Sequence, residues 1–211
     1  FREAIFVRFA SGKRLVVKLA QNAFTNHERI GMWRRCADEY RRLGYYCPEI
    51  FPALNGEFPA VLYKNHQCFA YAEEFSLYPS ADRCPNAKPF REELYRMTAR
   101  IAAQKFQYTN LPSAYCLFDT FGDDETDEVL ENALEFRRYS RTLPERFREQ
   151  TDRIFACWEE NRAELEKCYA HLPASVFQAD LNDTNVLLDE EGRFAGIYDF
   201  NLAGKDVFLN Y

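Results

Sequence analysis

No apolar run in this chain approaches the roughly 20 residues that a helix needs to cross a bilayer. The opening FREAIFVRF interleaves charge with apolar residues, so it does not read as a secretory leader. A starting methionine is missing too, and the expectation is a piece of a longer protein. The seven cysteines are odd in number and scattered without a CxxC pair. That spacing indicates neither a disulfide framework nor a zinc site, and reduced thiols in a cytoplasmic protein are expected. The three histidines, His27, His66 and His171, lie too far apart to form a ligand-spaced pair. Clustered Lys and Arg are lacking as well; net charge is -6, which argues against a nucleic-acid surface. There are no internal repeats and no low-complexity tracts.

What is present is a folded-protein composition, 47% hydrophobic and 16% aromatic. The 211 residues suffice for one large domain or two small lobes. Charge is uneven: residues 1–75 carry 11 basic and 8 acidic side chains, the remainder 16 and 25. An acidic second half suits either a cationic ligand or a set of solvated helix faces.

Ala4–Phe9 and Arg14–Leu19 read as two strands of a hairpin around Ser11-Gly12-Lys13. Asn26 is placed to cap a helix whose apolar residues recur at 30, 33, 37, 40 and 43, with Gly44 ending it. Pro48 and Pro52 bracket a loop before two further strands, Ala60–Tyr63 and Cys68–Phe75. Residues 76–89, with Pro79, Pro85 and Pro89, read as a linker. Helices follow at Phe90–Phe106, about Asp127–Arg141, and Pro144–Tyr169, separated by a loop over 107–126. The last segment predicts a hairpin: strand Val186–Leu188, turn Asp189–Gly192, strand Phe194–Tyr198. The class is α+β, with an antiparallel sheet and one helix over 1–75 and a mainly helical region over 76–211.

Asp180, Asn185 and Asp199 stand out around that hairpin. A tight hairpin brings its flanks together, so Asn185 and Asp199 should be neighbours and supply the hard oxygen ligands that Mg²⁺ prefers. Asp180 would lie beside the metal, able to orient a hydroxyl nucleophile or take its proton.

Gln178–Leu188 resembles the HGDxxxxN catalytic loop of the aminoglycoside phosphotransferase and choline kinase superfamily. Ile197-Tyr198-Asp199-Phe200 resembles that superfamily's I-D-F/W motif. The resemblance implies a bilobal protein-kinase-like fold, with a sheet-rich nucleotide lobe (1–75) and a helical lobe (76–211) carrying the catalytic hairpin. It implies ATP or GTP as co-substrate, Mg²⁺, and transfer of the γ-phosphate to a hydroxyl of a small molecule. Aminoglycosides, choline or ethanolamine, homoserine and sugars are the acceptor types among relatives. A catalytically silent nucleotide-binding or scaffold protein is the alternative. By the same resemblance Lys18 should reach the α- and β-phosphates and pair with a helix glutamate, Glu39 first and Glu28 second. The strand end Glu73-Glu74-Phe75 should be the hinge whose backbone bonds the base. Two departures are specific. Gln178 stands where the family has His and Ala179 where it has Gly. The first strand and phosphate-covering loop, and the helices that complete the acceptor pocket, are expected to lie outside this chain.

Overall fold

The structure, a computed structural model, describes residues 1–211. The N-terminal part is one antiparallel sheet. Strands β1 (Arg2–Arg8) and β2 (Arg14–Ala20) form the expected hairpin, turned by Gly12 at φ +88°. Helix α1 (His27–Arg42) follows, and the Asn26 side chain accepts from the Arg29 amide, the capping bond that the sequence implies. Strand β4 (Ala60–Tyr63) turns through Lys64 and Asn65, both at positive φ, into β5 (His66–Glu74). Between the two prolines lies a strand the sequence does not announce, β3 (Ile50–Phe51), which pairs with Glu73 and Ala72. The sheet order is β1-β2-β5-β3, with β4 also on β5.

Three helices dominate the rest: α2 (Arg91–Gln104), α3 (Glu128–Ser140) and α4 (Arg148–Tyr169). Asp127 caps α3 by accepting from Leu130 N–H at 2.9 Å. Strands β7 (Val186–Leu188) and β8 (Phe194–Ile197) make the expected hairpin. A second small sheet is new: β6 (Ala174–Phe177) pairs with β9 (Gly204–Val207). It encloses the hairpin and fixes the chain on both sides of residues 178–203. The Asp206 carboxylate anchors it from within, accepting from Ser113 (2.6 Å), Tyr211 (2.9 Å), Tyr169 (3.1 Å) and Asn210 (2.8 Å).

One hydrophobic core runs through both parts. From α1 it takes Ile30, Trp33, Cys36, Ala37 and Tyr40, and from the hairpin region Val176, Phe177, Val186, Leu188, Ile197 and Phe200. The Tyr40 and Phe200 rings meet edge to face at 5.6 Å. Each of the larger aliphatic and Phe side chains among them contributes roughly 1.5–3 kcal/mol by leaving water. The joint is also made by backbone: Tyr46 N–H donates to Ala195 C=O (3.1 Å), and Ile197 N–H donates to Tyr46 C=O (3.0 Å). Gly196 permits this approach, since a Cβ there would lie 1.8 Å from the Tyr46 oxygen. No helix is long and apolar enough to cross a membrane.

Candidate active site

A cleft of about 760 Å³ lies where the sheet faces the hairpin. Val16 and Leu187 give it apolar walls, the segment from Glu73 to Ser80 forms its back, and Lys18 and Asp199 stand at its charged end. Strand β2 carries Lys18 and the turn after β8 carries Asp199. The two meet although 181 residues separate them, with Lys18 Nζ 3.1 Å from Asp199 Oδ1. Asp199 holds a φ of +58°, which bends the chain sharply just beyond β8.

The expected partner of Lys18 is not there. Glu39 faces its own helix neighbours, with Arg42 at 2.6 Å and Arg35 at 4.0 Å, one turn to either side on the same face. Glu28 is exposed in the first turn of α1. The carboxylate that reaches Lys18 belongs to Glu73 of β5, at 2.8 Å. Burial opposes the Lys18 charge, but Glu73, the Tyr71 hydroxyl and Asp199 together hold its pKa above the ordinary lysine range. Burial pushes the Glu73 carboxyl upward, against the pull of Lys18.

Two of the backbone amides expected to face a base are already taken. The Glu74 amide already donates to Glu49 C=O (2.8 Å) and the Phe75 amide to Arg14 C=O (3.3 Å). The next two amides, Ser76 and Leu77, donate to no backbone carbonyl of the chain, and both residues line the cleft.

The loop between β6 and β7 is held by its own polar groups. Asp180 Oδ2 accepts from Asn185 Nδ2 (2.8 Å), and Asp180 Oδ1 accepts from Asn182 Nδ2 (2.7 Å), a contact the sequence did not single out. Asn185 Nδ2 also donates to the Asp180 carbonyl (2.9 Å). Both amide protons of Asn185 thus point to Asp180, and its Oδ1 accepts no hydrogen bond within the chain. Across the β7–β8 ladder, Tyr198 N–H donates to Asn185 C=O at 3.0 Å, which places Asp199 one residue beyond Asn185's partner. A carboxylate and an amide oxygen on adjoining flanks form a donor set suited to a hard divalent cation. Nowhere in the chain do three His, Cys, Asp or Glu side chains gather at metal-binding range.

Gln178 occupies the position of the family's histidine. It is fully buried, and Nε2 donates to the carbonyls of Tyr198 (3.0 Å) and Asp199 (2.8 Å) while Oε1 accepts from Asp180 N–H (2.8 Å). Its own amide donates to the Tyr40 hydroxyl (3.2 Å). Ala179, in the glycine position, sits at φ +73°, left-handed backbone that costs an alanine about 1–2 kcal/mol.

The model of a family described as the phosphotransferase enzyme family matches residues 2–209. Among curated proteins no sequence match is found. Similar solved structures include amicoumacin kinase hAmiN in complex with AMP-PNP, Ca²⁺ and Ami, at 15% identity and TM-score 0.58. Others are a thermostable mutant of aminoglycoside phosphotransferase APH(4)-Ia (13%, TM-score 0.52) and the AMP-bound spectinomycin phosphotransferase APH(9)-Ia (12%, TM-score 0.50). The alignments cover 99%, 99% and 98% of this chain. The chain spans only 58% of the first and 66% of each of the other two.

Proposed function

This chain belongs to the phosphotransferase enzyme family and has its two-lobed, protein-kinase-like fold, and we propose that it carries the catalytic centre of an ATP- or GTP-dependent kinase of a small-molecule hydroxyl. The observation that carries the proposal is the ion pair of Lys18 with Asp199, which joins the sheet to the hairpin at the charged end of the cleft. In this reading the base lies between Val16 and Leu187, with the Ser76 and Leu77 amides as its hydrogen-bond donors. Lys18 holds the α- and β-phosphates by charge. Asp180, its carboxylate oriented by Asn182 and Asn185, aligns the acceptor hydroxyl and takes its proton. Asn185 Oδ1 and the Asp199 carboxylate fit a magnesium ion, which when bound neutralises charge on the transferring phosphoryl group. Catalysis of this kind is mostly positioning and electrostatic stabilisation, which a buried, hydrogen-bonded loop supplies.

The test is ADP release from Mg·ATP, and in parallel GDP release from Mg·GTP, against a panel of aminoglycosides, choline, ethanolamine, homoserine and sugars. Asp180→Asn should lower transfer by on the order of 10²–10⁴ while leaving nucleotide affinity within a few-fold. Retention of most activity in Asp180→Asn would sink the mechanism. Nucleotide binding without turnover on any acceptor or water would favour a silent nucleotide-binding protein instead.

A further inference from the structure

Lys18 takes its charge partner from a strand and not from the helix. In the β2–β5 register Lys18 lies directly opposite Tyr71. Glu73, two residues on, shares that face, because side chains alternate along a strand and cross-strand pairs lie on one side. Its Oε2 reaches Lys18 Nζ at 2.8 Å, with the two side chains only 10% and 21% exposed. Helix α1 brings no acid to the same place. Glu39 is engaged by Arg42, Glu28 is in solvent, and the helix faces the sheet with the apolar Trp33, whose ring is 5.9 Å from Tyr71. Trp33, Tyr71 and Lys18 together line a small cavity of about 180 Å³.

We infer that Glu73 is the positioning residue for Lys18, fixing the ammonium at the mouth of the phosphate site, and that helix α1 contributes no charge to that task. The inference rests on the phosphotransferase reading above. A free lysine side chain samples many rotamers, and one buried carboxylate removes most of that freedom before a ligand arrives. Asp199 also touches Lys18, but its oxygens belong to the proposed metal set, whereas Glu73 has no other ionic partner. Because sheet register brings the pair together, it assembles with the sheet and needs no movement of the helix.

The experiment is calorimetric titration of Mg·ADP into the full chain, since ADP keeps both phosphates that Lys18 would hold. Glu73→Gln should weaken ADP by on the order of tenfold, the loss expected when the ammonium that meets the phosphates is no longer held in position. Lys18→Ala should weaken it similarly, and the double variant should be no weaker than Lys18→Ala alone, because the two residues act as one unit. Glu73→Asp, which keeps the charge on a shorter stem, should recover part of the affinity, and Glu39→Gln should stay within about twofold of the wild type. In steady state, Glu73→Gln should raise KM for the nucleotide more than it lowers kcat. Wild-type affinity in Glu73→Gln, additivity with Lys18→Ala, or an equal loss in Glu39→Gln would each overturn the inference. Should Glu73→Gln fail to fold, a Glu73→Asp variant that folds but binds ADP no better than Lys18→Ala would overturn it too. A wild-type chain that binds no ADP would overturn the phosphotransferase reading along with it, an outcome distinct from the others.

Discussion

Gln178 and Asp199 are joined by a 2.8 Å hydrogen bond from the buried amide nitrogen of one to the backbone carbonyl of the other. The same side chain accepts from the Asp180 amide, so one residue sets the spacing between the proposed acceptor-orienting and metal-binding carboxylates. Replacing it with Leu removes the partners of three backbone groups while keeping most of the volume. Gln178→Leu should cost about 2–4 kcal/mol of stability, read by urea denaturation. Any phosphotransfer should fall by a larger factor than nucleotide affinity does. Equal stability of the two proteins would show that Gln178 is a spectator.

Gly196 makes a second prediction, from space alone. Gly196→Ala drives a methyl into the Tyr46 carbonyl and breaks the pair of hydrogen bonds that Tyr46 makes with the hairpin. A loss of about 3 kcal/mol is expected, lowering Tm by roughly 6–12 °C in a chain of this size. Differential scanning calorimetry reads it directly, and an unchanged Tm would mean the joint yields without cost.

Asp127 gives the pH dependence. Burial raises its pKa, but the hydrogen bonds from Arg162 and from the Leu130 and Phe118 amides outweigh that and hold it below the usual carboxylate value. A carboxyl whose folded-state pKa is depressed stabilises the fold above its unfolded pKa, about 3.9. That stability is lost as pH falls from there through the folded value. Stability measured between pH 5 and pH 2 should therefore fall less steeply in Asp127→Asn than in the wild type. Parallel curves would refute the assignment.

The seven thiols should separate by reactivity. Burial pushes Cys47 and Cys116 each up to about 12 and Cys36 higher still, while Cys157 and Cys168 are exposed. Iodoacetamide at pH 8 should label Cys157 and Cys168 first, with Cys36 and Cys47 labelled only on unfolding. Peptide mass spectrometry after brief exposure distinguishes them. Early labelling of Cys47 would mean that the joint beside it opens in solution.

The parts of this molecule that the sequence foretold are those written locally. Asn26 ahead of a 3.6-residue apolar period, Gly12 and Gly192 in tight turns, and the Asp180–Asn185 spacing each need only a short window. Strand β3 is two residues between prolines, too short to carry a period. Strands β6 and β9 have no signal of their own, because each is defined by a partner 27 or more residues away. Glu39 misled because a helix period says which residues share a face, but not that Arg35 and Arg42 would claim the carboxylate first. The sequence singles out Glu73 for its backbone, whereas in the structure its side chain pairs with Lys18. Strand alternation would have found it once the pairing of Lys18 with Tyr71 was known, and that register is a long-range fact.

The backbone joint at Gly196 also bears on how this chain tolerates change. Tyr46 takes part through its N–H and C=O, which nearly every residue type owns. Its partner position admits no side chain at all. In a saturation library, substitutions at position 46 should therefore spare the joint and lose only the ring contact with Tyr78, while position 196 should accept almost none. Two residues in the same contact would then leave opposite records in a mutational scan: one permissive, one nearly invariant.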